Sequence, residues 1–211
     1  MTERGRFSFT ALSRFLYTVQ TVAALKERIF AAAKVIHAGQ GEEGLTMRRL
    51  AARLGVTAPA IYHHFENRDA ILEAMSDEGF DRLVGRLQAL PARRAPVRRC
   101  IDVLTAYREF ALDEPHTFAV MFLARRPRAR RFPDDFAARR SAAFSLLADR
   151  ISVAMTLGEL APDDVNEVAL TMWAHAHGLV LLQRAGRFQG SLATYRRAFE
   201  RSVARLVAGL S

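Results

Sequence analysis

The sequence predicts an all-α protein built from a small N-terminal head of three helices and a larger C-terminal helical domain. Three observations carry this expectation. Apolar residues recur three and four positions apart along nearly the whole chain, no window alternates apolar and polar residues as a half-buried strand would, and the breaks between periodic stretches carry Gly, Pro or capping residues. With 211 residues, 50% of them hydrophobic, the chain is long enough to bury a substantial core, and it contains no internal repeat.

The first 20 residues, MTERGRFSFTALSRFLYTVQ, are basic and weakly amphipathic. Arg14 interrupts their apolar run and no small-residue cleavage site follows, so they read as a flexible arm and not as a targeting peptide. Over residues 22–37, Leu25, Ile29, Ala32, Ala33 and Ile36 form one apolar stripe opposite Lys26, Glu27 and Lys34, and the glycines of AGQGEEG stop the helix. Thr46 offers an N-cap hydroxyl to a short second helix with Leu50, Ala51 and Leu54 on its inner side, closed by Gly55. Val56 turns inward and Thr57 caps a third short helix, in which Pro59 is tolerated in the first turn while Ile61 and Phe65, four apart, act as anchors. Two helices joined by three or four residues that include a glycine meet steeply, which is helix-turn-helix geometry.

Asn67 caps a fourth helix running through Ile71, Leu72, Met75 and Phe80 toward Leu90, where PARRAPVRR breaks the chain. Helices are then expected over residues 100–113, 115–124, 134–157, 163–187 and 192–207. The resulting organisation is an arm (1–20), a helix-turn-helix domain (21–68), a connecting helix (69–90) and a C-terminal domain (91–211).

Lys and Arg number 31 against 22 Asp and Glu, a formal charge of +9 that favours a polyanionic partner, nucleic acid before membrane. No apolar run approaches the roughly 20 residues of a membrane span, so a cytoplasmic protein is expected. The single Cys100 rules out an internal disulfide and reads as a small core residue. No GxSxG, HExxH, GxGxxG, phosphate-binding glycine loop or CxxC occurs, and neither a cofactor nor a metal is expected. The carboxylate pairs Asp134–Asp135 and Asp163–Asp164 each follow a proline and open a helix, so they read as caps.

The stretch APAIYHHF, residues 58–65, concentrates the functional signal. With Ile61 and Phe65 pointing inward, Ala58, Pro59, Ala60, Tyr62 and His63 must project outward. A helix in the major groove has about 12 Å of width, and small leading residues let its backbone approach the base edges. Ala58 and Ala60 suit thymine methyls, the Tyr62 hydroxyl can reach a phosphate, and His63 or His64 can donate to a phosphate or a guanine acceptor. Arg48, Arg49 and Arg68 supply phosphate attraction beside this helix, as do the helix N-termini at Thr46 and Asn67. Adjacent histidines point about 100° apart on a helix and make a poor metal pair.

The run GLTMRRLAARLGVTAPAIYHHFENRDAILEAM, residues 44–75, resembles the DNA-binding module of the TetR family of bacterial transcription regulators, close to the tetracycline-repressor type. The resemblance implies base or phosphate contact by Arg48, phosphate contact by Thr46 and Tyr62, and a phosphate clamp at Arg68. Ala58 and Ala60 stand where relatives often carry hydrogen-bonding residues, and Glu66 sets an acid near the DNA backbone, so the bases read are left open. Downstream, MWAHAHG (172–178) resembles a subgroup with a tryptophan and a histidine-glycine pair on the penultimate helix.

By the same resemblance the last two long helices form a homodimer interface, and helices bearing Tyr107, Phe110, Phe118, Met121, Phe122 and Phe144, with Trp173 and His177, enclose a small hydrophobic or aromatic effector. Those aromatics equally suit plain core, and Trp173 with His177 suits a buried, hydrogen-bonded pair better than ligand contact. The arginine run 125–131 reads as a solvated loop. The expected function is a ligand-responsive, homodimeric repressor of a palindromic operator in double-stranded DNA. An activator of the same family, a nonspecific nucleic-acid-binding protein and a helical enzyme are the alternatives.

Overall fold

The computed structural model describes residues 7–123 and 129–211, with side chains from residue 24 onward. Among these residues there are ten helices and no strand, and two compact units, residues 1–75 and 76–211. Part of the arginine run (124–128) and the first six residues of the expected arm lie outside the described residues.

The first unit holds α1 (Phe7–Gly44), α2 (Met47–Leu54), α3 (Ala58–Tyr62) and the first turns of α4 (Arg68–Gln88). Helix α1 is longer at both ends than its amphipathic stretch. It begins at Phe7, inside the segment expected to be an arm, and passes its glycines to end at Gly44, bending at Gly41 (φ 68°, ψ −169°). The positive φ is the conformation glycine adopts without a Cβ penalty, so the helix can kink there at little cost.

Helix α2 starts on Thr46, whose Oγ1 accepts from the Arg49 amide at 3.2 Å, and stops on Gly55 at φ 67°. Amides in the turn after α2 satisfy the otherwise orphaned carbonyls of Ala51 and Ala52. Thr57 precedes α3 without a side-chain cap, and the helix ends at Tyr62, sooner than the Ile61/Phe65 spacing suggested; His63 and His64 form a turn that delivers Phe65 to the core. Asn67 Oδ1 accepts from the Ala70 amide at 2.8 Å and opens α4. Ile29, Ala33, Leu45, Leu50, Ile61, Ile71 and Leu72 are sealed at the centre of this unit.

The second unit contains the rest of α4 with α5 (Pro96–Asp113), α6 (Pro115–Phe122), α7 (Asp134–Ala137), α8 (Ala142–Thr156), α9 (Val165–Arg184) and α10 (Leu192–Ala208). Its core runs from Leu83 and Leu87 through α5, α8 and α9 to Phe199 and Val203. Where one helix over 134–157 was expected, Arg139 at φ 56° divides it into α7 and α8. Arg139 is held by two 2.8 Å hydrogen bonds to the Asp149 carboxylate.

Two arginines are structural. Arg150 on α8 is buried and donates to the Leu87 and Arg99 carbonyls at 3.0 and 3.3 Å. Arg108 on α5 is buried over the Phe199 ring, donates to the Arg196 carbonyl and pairs with Glu109 and Glu200. Asp164 accepts from the Asn166 and Glu167 amides, the capping role expected of it.

Ile61 is 0% exposed and its neighbour Tyr62 is 52% exposed, so the two should separate cleanly. Ile61→Ala should cost about 2–4 kcal/mol in urea unfolding, whereas Tyr62→Ala should leave the midpoint nearly unchanged. Burial pushes the Cys100 thiol up to about 11. The native protein should therefore give no thiol reaction with Ellman's reagent near neutral pH and one thiol per chain in denaturant.

Candidate nucleic-acid interface and effector site

In the first unit the outward face of α3 forms as the sequence indicates. Tyr62 and His63 are exposed, Ala58 and Ala60 are partly exposed, and Pro59 lies at the solvent edge. The His63 and His64 rings meet edge to face at 5.4 Å. His64 is the more enclosed, and burial, followed by the nearby His63 and Lys26, depresses its pKa and favours the neutral ring. The Lys26 ammonium sits 5.7 Å from the centre of the Phe65 ring, so positive charge flanks the inner peg of the turn.

The arginines expected beside this helix divide into separate roles. Arg48 is exposed and has no acid within ion-pair distance among the described residues, which leaves its guanidinium available to a phosphate. Arg49 turns back instead, donating to the Gly44 carbonyl at 2.9 Å and to the Gln40 side chain. It closes the C-terminal end of α1, where orphaned carbonyls favour a cation. Arg68 is partly neutralised by Asp69 and Glu42, at 3.4 and 3.7 Å. Arg53, exposed in the last turn of α2, is a further basic group on this unit that the sequence reading passed over.

In the second unit, six of the eight expected effector residues come together. Tyr107 (α5), Phe118 and Phe122 (α6), Phe144 (α8), and Trp173 and His177 (α9) form a connected group of rings with centroids 4.8–6.5 Å apart along its links. The Tyr107 hydroxyl meets His177 Nδ1 at 2.6 Å. Burial raises the Tyr107 pKa and lowers that of His177, so both are neutral near pH 7.

The other two residues sit apart from these rings: Phe110 lies beneath the Arg86 guanidinium, 5.2 Å away, and Met121 packs against Gly79. Phe136, on the four-residue α7, is a member that sequence periodicity could not reveal; its ring contacts Phe144 at 4.6 Å and Trp173 at 6.3 Å. His175 faces the opposite way, toward Ser202 on α10 at 3.0 Å. No group of three potential metal ligands occurs among the described residues, and none of the described helices is long and apolar enough to cross a membrane.

Residues 29–75 match the family model for bacterial regulatory proteins of the tetR family, and residues 100–206 match that for the tetracyclin repressor-like C-terminal domain. The uncharacterized HTH-type transcriptional regulator Rv0681 of Mycobacterium tuberculosis is 29% identical over 147 residues, which is 70% of this chain and 64% of that protein, less than two thirds of its length. The class C tetracycline repressor of Escherichia coli is 60% identical over 37 residues, 18% of this chain and 17% of that one. A solved protein of unknown function from Rhodococcus sp. RHA1 superposes with a TM-score of 0.72 at 25% identity, covering 88% of this chain and 95% of that one.

Arg48→Ala should weaken duplex binding and lower the salt slope, d log K/d log [salt], by about one, the signature of a lost phosphate contact. Arg49→Ala should mainly lower the thermal midpoint by loosening the junction of α1 and α2. Salt-dependent fluorescence anisotropy and thermal unfolding on both variants separate the two effects.

Proposed function

Since the chain belongs to the TetR family of bacterial transcription regulators, with a DNA-binding helix-turn-helix and a ligand-binding C-terminal domain, we propose that it is a cytoplasmic homodimeric repressor, released from a palindromic operator by a small aromatic effector. The observation that carries this reading is the pairing of a sealed Ile61 with an exposed Tyr62 and His63 on a five-residue helix, beside an unpaired Arg48. In the major groove, α3 would place Ala58 and Ala60 on base edges and Tyr62, His63 and Thr46 toward phosphates. His64, half enclosed, and Thr57 would support that face from its rim, with Arg68 as a weakened clamp.

One such head contacts few phosphates, whereas a two-fold dimer spans half-sites about 34–36 Å apart. The last two long helices, α9 and α10, are the proposed interface. Between Glu167 and Arg184, α9 carries no charged side chain, yet it exposes Thr171, Ala174 and Leu182. A solvent face two turns or more in length with no charge is the kind of surface a second subunit covers.

The effector would act by population shift, favouring a dimer whose heads no longer match successive grooves, and operator DNA would weaken effector binding by the same factor. Helix α6 is the proposed route. Its Phe118 and Phe122 belong to the ring group, and its Thr117 is hydrogen-bonded to Arg82 of α4 at 2.9 Å. Arg82 and Arg86 also pair with Glu114 at 2.8 and 3.1 Å.

Anisotropy with a labelled duplex from the region upstream of the gene tests the repressor reading. Specific binding should exceed that of random duplex by roughly a thousandfold or more at physiological salt. Equal competition by random duplex would leave only a nonspecific binder. Ala174→Arg should convert the dimer to a monomer in light scattering and bring operator affinity down toward the random-duplex level, with helicity unchanged.

A further inference from the structure

The polarity of the hydrogen bonds inside the ring group defines which chemistry it can receive. The Tyr107 hydroxyl is buried, and His177 Nδ1, 2.6 Å away, is its one hydrogen-bond partner among the described residues, so its proton goes there. Nδ1 is then the acceptor, and the single proton of the neutral imidazole resides on Nε2. No hydrogen-bond partner meets Nε2 among the described residues, and it is not among the sealed polar atoms. The relay therefore ends in an N–H donor surrounded by π faces, with the Phe118 ring stacked on the imidazole at 5.8 Å and Phe122 at 5.3 Å.

A second observation adds charge. Arg184, in the last turn of α9 and so two turns beyond His177, holds its guanidinium 5.5 Å from the centre of the same Phe118 ring. It has no acid within ion-pair distance among the described residues, unlike Arg108, Arg139 and Arg196 of the same unit, each of which holds a carboxylate. Contact with the ring lowers its pKa, yet the side chain stays exposed, so the cation stands open to an incoming anion with no acid to neutralise it. An acid-free cation and an N–H donor, both bordering the Phe118 ring, jointly favour an anionic oxygen acceptor over a neutral or cationic ligand.

Trp173, Phe122 and His177 remain partly open to solvent, while Tyr107 and Phe118 behind them are sealed. The solvent-open members of the group are thus all rings, which offer a flat aromatic molecule stacking partners that a flexible chain cannot use as well.

We propose that the effector is a planar aromatic carboxylate, its ring against Trp173 and Phe122, one oxygen accepting from His177 Nε2 and its charge facing Arg184. This rests on the reading that the ring group is the effector site. Trp173 is the only tryptophan of the chain, so its emission reports occupancy directly.

The test titrates the full-length protein with naphthoate, naphthalenemethanol and decanoate, following calorimetric heat and Trp173 emission. Naphthoate should bind at least about tenfold more tightly than either of the others, the scale of one charge-assisted hydrogen bond. Arg184→Gln, on an exposed turn, should abolish most of the preference for the acid over the alcohol. His177→Phe, which keeps ring packing, should weaken naphthoate by a similar factor, with circular dichroism confirming the fold of both variants. Equal affinity for acid and alcohol, unchanged in Arg184→Gln, would overturn the carboxylate assignment while saturable quenching of Trp173 upheld the site. Tighter binding of decanoate would overturn the planar requirement. A flat response to all three probes would overturn the chemistry and the site together.

Discussion

Everything the first unit can present to DNA depends on two buried side chains. A helix of five residues is far below the length at which an isolated helix survives in water, so α3 exists only because tertiary burial holds it. Ile61 and Phe65 supply that burial, and because they are the only inward anchors on so short a segment, they also set its rotation. Rotating α3 by one residue, about 100°, would drive Tyr62 into the core and lift Ile61 into solvent. The surrounding devices serve the same constraint: Gly55 at positive φ re-aims the chain between α2 and α3, Asn67 restarts it into α4, and Arg49 pins the end of α1. The reading face is rigid because its back is over-determined.

The charge of the chain shows the same division between support and display. A formal +9 invites the view that the whole molecule is a polycation for nucleic acid. In the second unit, much of that arginine is consumed internally. Arg150 satisfies carbonyls of Leu87 and Arg99, Arg108 and Arg196 clamp Glu109, and Arg82 and Arg86 share Glu114. Buried and bidentate arginines of this kind organise helices through directed donors and contribute little long-range field. In the first unit the arginines beside α3 divide differently: Arg48 is in the open, Arg53 is exposed, and Arg68 is neutralised in part. Total charge is therefore a poor guide to which surface meets a polyanion, and position is the better one.

The first unit was legible in the sequence because its turns are written in residue types with fixed backbone consequences. Thr46, Gly55 and Asn67 each announce a helix end, and Ile61/Phe65 announce a register. The second unit was less legible where packing replaces such punctuation. Arg139 breaks the helix expected over 134–157 from a stretch with no glycine, because Asp149, ten residues on, holds it. Tyr107 and Phe110 share one helical stripe, yet only Tyr107 reaches His177 while Phe110 lies beneath Arg86. Phe136 sits on four helical residues, too few to show a period, and Arg184 reads as an ordinary helix-ending cation until its missing acid and its ring are seen. Arg49 shows the converse: its residue type suits phosphate as well as Arg48 does, and only the Gly44 carbonyl beside it reveals its other use.

The same packing sets α5 and α6 apart in how firmly each is held beside the ring group. Helix α5 supplies Tyr107 but is anchored along its length, by Cys100 and Val103 in the core and by Arg108 to α10. Displacing Tyr107 would mean moving eighteen residues and breaking a buried arginine network. Helix α6 is eight residues long and has two working faces. Phe118 and Phe122 face the rings, while Thr117 and Met121 lie against α4 so closely that a Cβ at Gly79 would come within 2.6 Å of Met121 Sδ and 2.8 Å of Thr117 Cγ2. With no slack at that contact, α6 cannot shift toward α4 without moving it, and the Glu114 pairs with Arg82 and Arg86 resist a shift away. Any side chain at position 79 would therefore have to displace Met121 and Thr117, so glycine there is what lets α6 lie this close to α4.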